Sequence, residues 1–235
     1  GCAGWDPIRE RLLVVGGRGR SSSELYPESW SYDPATNRWT QLALPRPNAP
    51  LGCAMAFSKR AGTFFLFGGA NRGGSQANTW RLDPDWNRWD QVEAEGPEAR
   101  YDAAFVELAT GELALVGGGA RMDGPFHEGV WIFDPEALSW RRLETNEGPS
   151  GRRVPWVTAT DNPPGLIYGY GASAVALDDL WHLDLEAGEW TDVTPEFGPS
   201  PRGFTHHLPG PPGSLGLVLG GFDLRAPQGD VWIAR

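Results

Sequence analysis

Cysteine is scarce in this sequence: Cys2 and Cys53 are the only two among 235 residues, too few for a disulfide framework. Histidine occurs four times and no H-x-H, H-E-x-x-H or C-x-x-C pattern is formed, so neither a metal centre nor a cofactor is expected. There is no G-x-S-x-G elbow and no Walker-type loop, because the glycine pairs follow apolar runs without opening a helical stretch. Long apolar runs are missing too. None approaches the roughly 18 residues of a membrane-spanning helix, so no membrane insertion is expected. No charged-then-apolar leader opens the given residues, which leaves the compartment undetermined, with the cytoplasm favoured. Lysine is reduced to Lys59, and the other 19 of the 20 basic residues are arginine. The formal charge of −10 argues against wholesale binding to nucleic acid while saying nothing of local patches.

Glycine, proline and tryptophan are abundant instead, at 32, 21 and 12 residues. Disordered chains are poor in aromatics, so this mixture points to many short strands joined by turns. The tryptophans are periodic. W-S-Y-D-P-A-T-N-R-W spans 30–39, W-R-L-D-P-D-W-N-R-W spans 80–89, W-I-F-D-P-E-A-L-S-W spans 131–140 and W-H-L-D-L-E-A-G-E-W spans 181–190, with V-W-I-A-R at 231–235. The first tryptophans, Trp30, Trp80, Trp131, Trp181 and Trp232, recur every 50 or 51 residues, which marks an internal repeat. Each repeat opens with a small or apolar segment such as G-C-A-M-A-F at 52 or Y-D-A-A-F-V at 101. A dense apolar run closed by glycine follows, such as L-L-V-V-G-G at 12, F-F-L-F-G-G at 64 or L-A-L-V-G-G at 113. Runs this short read as strands buried on both faces. The W-x-[YFL]-D segment and the segment from the second tryptophan, such as W-T-Q-L or W-D-Q-V, supply a third and a fourth strand.

The Asp-Pro between the two tryptophans starts a turn: the Asp side chain can bond the backbone ahead of it, and Pro pre-sets φ. Two residues before the second tryptophan stand Asn37, Asn87 and Gly188, all suited to positive φ, while Leu138 is the exception and should be strained. Each hairpin carries a tryptophan on each strand. Lone hairpins are marginal, so these rings are expected to pack against neighbouring repeats rather than to bind a ligand.

Four antiparallel strands per repeat, five times over, fit an all-β propeller better than a linear solenoid, whose repeats are shorter. The double glycine after an apolar strand, with W-x-[YFL]-D 11 to 13 residues later and a further Trp, resembles the Kelch repeat. The likeness covers nearly the whole chain, as one domain over residues 1–235 with blades of about 1–45, 46–95, 96–147, 148–197 and 198–235. It implies a propeller with the first strand of each blade innermost and the fourth outermost. Blade four departs at G-Y-G, where Tyr170 takes the place of the second glycine. Among enzymatic Kelch relatives, the nitrile-specifier pattern E-x-x-x-D-x-x-x-H is met by Glu98 and Asp102 but fails at Val106, and no galactose-oxidase-like copper set is present.

The loops carry the binding signal. P-x-x-R joins outer to next inner strand at Pro97 to Arg100, Pro149 to Arg152 and Pro199 to Arg202, with Pro-Arg-Pro around Arg46 in the second repeat. The loops after the glycine pairs carry Arg18, Arg20, Arg72, Arg121 and Arg225. In an up-and-down blade both loop classes emerge on one face, and with Arg153 they hold ten of the 19 arginines, mixed with Glu24, Asp123, Asp178, Asp179 and Asp223. Some Kelch domains grip acidic peptides with such arginines. The resemblance therefore implies a protein- or peptide-binding scaffold with an acidic ligand held by Arg18, Arg20, Arg72, Arg100, Arg121, Arg152, Arg202 and Arg225. The competing use of Arg100, Arg152 and Arg202 is to tie blades together through loop carbonyls. The alternative function is an enzyme or lectin for an anionic sugar, sialic-acid-mutarotase-like, in the central pocket, with Trp86 and Trp156 offered for stacking.

Two further expectations concern the frame. Blade five lacks a fourth strand within the given residues, which suggests a strand upstream of Gly1 or a lost sixth blade, and leaves room for further domains. Cys2 and Cys53 occupy equivalent G-C-A positions in adjacent inner strands, and divergence of neighbouring blades would keep them as free thiols.

Overall fold

A computed structural model describes residues 1–19, 25–44, 51–208, 214 and 216–234, and these contain strands and turns but no helix. The strands form five successive antiparallel sheets, ordered as in the sequence from the axis outward, and a small two-stranded ribbon of Ala70–Asn71 and Gly74–Ser75. Blade one holds Cys2–Asp6, Arg11–Arg18, Leu25–Asp33 and Arg38–Leu42, and blade two Ala54–Ser58, Thr63–Phe67, Thr79–Leu82 and Trp89–Val92. Blade three holds Tyr101–Glu107, Leu113–Gly119, Val130–Asp134 and Ser139–Leu143, and blade four Trp156–Asp161, Pro164–Gly169, Leu180–Asp184 and Glu189–Asp192. Blade five has three strands, His206–Leu208, Gly216–Leu219 and Val231–Ala234. The first strands of successive blades adjoin one another, which puts them innermost, as the Kelch resemblance implied.

The core lies between blades. Leu13, Phe64, Leu66, Leu82 and Trp89 fill the first cleft, Phe65, Phe67, Phe105, Leu115 and Phe133 the second, and Val116, Ile132, Leu166, Tyr168 and Trp190 the third. This explains why the second strand of each blade reads as an unbroken apolar run: its two faces look into two different clefts. Trp89 and Trp190 are buried in these clefts as expected, whereas Trp39 is 53% exposed beside the ring of Tyr32.

The turns follow the sequence with two corrections. Asp33, Asp134 and Asp184 each accept two backbone N–H bonds from the residues two and three ahead, and Leu138 takes a φ of 53°. In blade two the left-handed residue is Trp86 (φ 57°) rather than Asn87, because its indole tucks against Phe64 and under the guanidinium of Arg9. Tyr170 stands in the first, not the second, place of the glycine pair: its φ of 49° matches 62° at Gly68 and 68° at Gly117, and Gly171 keeps the second. At Gly117 crowding as well as φ favours glycine, since a Cβ there would lie 2.7 Å from the Arg152 carbonyl oxygen, whereas blade four accommodates Tyr170 at the same place.

The free-thiol expectation is overturned. Cys2 and Cys53 form a disulfide with a Cα separation of 5.7 Å, inside the range of about 4.4–6.8 Å such a bond needs. Blades diverge outward, but both cysteines sit where the innermost strands converge on the axis.

Candidate functional site at the channel mouth

The P-x-x-R arginines are almost wholly buried: Arg100, Arg152 and Arg202 are each 1% exposed or less. They share one bonding pattern. Nε donates to the carbonyl two residues back (Glu98, Ser150, Ser200), and Nη1 donates to the carbonyl at the first left-handed place of the next blade-edge turn (Gly117, Tyr170, Gly220). Arg152 and Arg202 add a two-pronged grip on Asp179 and Asp230, with Nη2 at 2.8 and 3.1 Å. Each of those carboxylates also accepts the indole N–H two residues on, from Trp181 and Trp232. The Arg202 and Trp232 donors hold Asp230 down at about 2. For Asp179 burial alone would raise the carboxyl, but Arg152 and Trp181 outweigh it and leave it below its ordinary value. Arg100 has no such acid, because Gly129 stands in the equivalent place, and it pairs with Glu98 instead. Its burial lowers it to about 10, against the raising effect of Glu98, so it stays charged at neutral pH. These three side chains therefore hold adjoining loops together, and the blade-tying alternative describes what they do here.

Two residues past each of these arginines the backbone turns left-handed: Asp102 (φ 57°), Val154 (φ 47°) and Phe204 (φ 56°), with Gly52 (φ 57°) in blade two. The Asp102 N–H donates to the Gly52 carbonyl and the Val154 N–H to the Asp102 carbonyl, both at 2.7 Å, so the kinks stitch neighbouring blades around the axis. Non-glycine residues held this way cost about 1–3 kcal/mol each and cluster where a surface must be preshaped. Sequence reasoning missed this ring; its only signal was position relative to the P-x-x-R motif.

The ring borders a cavity of about 780 Å³ at the channel mouth, lined among others by Cys53, Tyr101, Asp102, Arg121, Met122 and Arg153. Arg153 is 7% exposed, and its guanidinium meets Asp102 Oδ2 at 3.1 Å, the Tyr101 hydroxyl at 3.4 Å and the Met122 sulfur at 3.0 Å. It also lies over the Tyr101 ring, whose hydroxyl is pushed up by burial. Arg153 Nε is buried without a hydrogen-bond partner.

Of the arginines singled out in the sequence, Arg121 reaches the mouth, Arg225 borders a separate groove with Val175, Pro201 and Leu224, and Arg72 is exposed on the glycine-pair loop of blade two. Arg18 ends its strand with its side chain outside the described residues, as are Arg20 and Arg46 altogether. Trp86 and Trp156 do not line the mouth: the first sits at an Asp-Pro turn, and the second is 1% exposed between blades four and five.

Comparison with known proteins agrees with this architecture. The solved structure of YjhT superposes with a TM-score of 0.77 at 17% identity, covering 98% of this chain and 79% of that one, which speaks for the fold alone. Kelch domain-containing protein 2 of Bos taurus is 30% identical over 109 residues, 46% of this chain, and the match spans only 27% of that relative's length. A family model described as the KLHDC2/KLHL20/DRC7 Kelch-repeats domain matches residues 6–223. With the repeat, the five radial sheets and that match in agreement, the chain belongs to the family of Kelch-repeat β-propellers.

Proposed function

We propose that the domain is a protein-binding module that seats an acidic peptide segment at the channel mouth of its arginine-bearing face. The observation that supports this reading most is Arg153: its side chain, held by Asp102, Tyr101 and Met122, lines a cavity of about 780 Å³ together with Arg121. Arg121 on the rim, with Arg72 and Arg225 on loops of the same face, adds positive charge that would steer an anion in despite the net charge of −10. The planar fork of arginine holds a carboxylate by two parallel bonds. Arg100, Arg152 and Arg202 serve the ligand indirectly, by fixing the loops.

The test is a titration of acidic peptides against the chain at low and at physiological salt, with sialylated glycans as a parallel arm. Peptide binding should weaken as the Debye length shrinks to about 8 Å. Charge reversal at Arg72, Arg121 and Arg225 together should abolish it with the melting temperature unchanged. Binding indifferent to salt, a ligand seated on the Asp-Pro turn face, or preference for the glycan would refute the reading.

A further inference from the structure

Sulfur is sparse in this chain, with two cysteines and two methionines, and the four side chains are placed unequally. Cys2 and Cys53 are joined in the disulfide and leave no free thiol. Met55 is half-buried in the inner strand of blade two, packed against the cleft of Leu13, Phe64 and Trp89. Met122 differs from all three. It is 67% exposed, on the loop that follows the Gly117 and Gly118 pair of blade three, and it lines the cavity of about 780 Å³ at the channel mouth. An oxidant arriving from solvent therefore meets this sulfur first.

Its contacts make that sulfur part of the mouth. Arg153 Nη1 donates to Met122 Sδ at 3.0 Å, beside its bonds to Asp102 Oδ2 at 3.1 Å and the Tyr101 hydroxyl at 3.4 Å. A thioether is a weak acceptor, so of the three partners it holds the guanidinium least. Arg153 is only 7% exposed, so the neighbouring side chains rather than bulk water set what its N–H groups meet. Oxidation to the sulfoxide turns the flexible apolar side chain into a polar one, with an oxygen in place of a sulfur lone pair.

We propose that Met122 is an oxidation site whose sulfoxide lowers the affinity of the channel mouth for an acidic ligand. The step is a two-electron oxygen transfer from a hydroperoxide. A sulfur lone pair forms the S–O bond as the O–O bond breaks, and the departing oxygen takes a proton to leave as water or an alcohol. The sulfur is oxidised and the peroxide reduced, each by two electrons. The new oxygen carries the negative end of the S–O dipole and stands beside Arg153 Nη1, on the rim shared with Arg121. It competes with a ligand carboxylate for the guanidinium and offsets part of the positive field that draws an anion in. A dithiol-driven sulfoxide reductase reverses the change, returning the thioether with a disulfide and water as the other products. The inference takes its ligand from the channel-mouth reading, while the modification itself stands apart from it.

The experiment treats the folded 235-residue chain with dilute hydrogen peroxide and maps the product by mass spectrometry. Met122 should gain one oxygen well before Met55, and the side-chain N–H resonances of Arg153 should shift with it in the absence of any ligand. Acidic peptides should then bind about five- to tenfold more weakly, equivalent to losing one hydrogen bond. Reduction of the sulfoxide should restore the affinity, with unoxidised chain carried through the same reductant to separate any effect of opening the disulfide. In Met122→Leu, whatever its own affinity, peroxide should change nothing. Oxidation of Met55 first, unmoved Arg153 resonances, or the same loss of affinity in Met122→Leu overturns the proposal. Peptide bound equally well before and after oxidation also overturns it and leaves the channel-mouth reading intact. Shifted Arg153 resonances with no acidic peptide bound in either state refute that reading instead, and the regulation falls with it while the modification stands.

Discussion

Arg152 carries more structure than any other single side chain on the loop face. It is fully buried, bonds the carbonyls of Ser150 and Tyr170, grips Asp179, and stacks over the Tyr168 ring at 4.9 Å. Removing it strands two carbonyls and leaves a partly buried carboxylate without its counter-charge. We expect Arg152→Ala to cost about 3–5 kcal/mol in denaturant unfolding. Arg100 is the internal control. Its salt-bridge partner Glu98 is 67% exposed and would return to water, so Arg100→Ala should cost less, about 1–3 kcal/mol. Equal losses in the two variants would mean that the Asp179 grip contributes nothing. The motif P-x-x-R was visible in the sequence, but its two possible uses were not separable there. Burial decides between them, and burial follows from which carbonyl lies opposite, which no residue spacing records.

The Asp-Pro hairpins show what local chemistry settles and where it stops. An Asp six residues before the second tryptophan of each repeat was enough to predict the turn, because the stabilising bonds run to its own neighbours. Asp134 accepts the N–H groups of Glu136 and Ala137 at 2.8 and 3.0 Å, and the Ala137 bond, then the Glu136 bond, hold its carboxyl below the ordinary value. Asp134→Ala should therefore destabilise by about 1 kcal/mol near neutral pH. Since the folded value is depressed, the contribution is complete above the unfolded carboxyl value of about 3.9 and fades as pH falls through the folded one. Variant and parent melting curves should accordingly converge on acidification; a gap that persists at the lowest pH would contradict this. Leu138 was legible as the strained member because its neighbours in the series are Asn and Gly. Trp86 was not, since its conformation is set by Phe64 and by Arg9 of another blade. The left-handed Asp102, Val154 and Phe204 were equally hidden: no glycine marks them, and the bonds of Asp102 and Val154 run between blades.

The disulfide is where reasoning from separate repeats failed, because it depends on how blades meet. Each blade fans away from its neighbour at the rim, yet the innermost strands must approach one another for the propeller to have an axis. Cys2 and Cys53 lie at that approach, and their bond joins blade one to blade two across 51 residues. The packed cleft of Leu13, Phe64, Leu66 and Trp89 already holds the same two blades, so the native contacts do not depend on the bond. Its main effect falls on the unfolded chain, which loses the freedom of a 51-residue loop, worth about 4 kcal/mol in the chain-entropy account. Reduction, or the double variant Cys2→Ser with Cys53→Ser, should therefore lower stability by about that amount while leaving the β-sheet signature in circular dichroism unchanged. Thiol titration of unfolded, unreduced protein should find no free cysteine. Disulfides persist in oxidising surroundings, which weighs against the cytoplasm that the lack of a leader in the given residues favoured. The same chain produced in a reducing cytosol should therefore purify with two reactive thiols and the stability of the reduced form, and gain the difference on oxidation. Two free thiols in protein from an oxidising compartment would show that the blades do not close to 5.7 Å at the axis, and the geometry of the channel mouth would have to be redrawn with them.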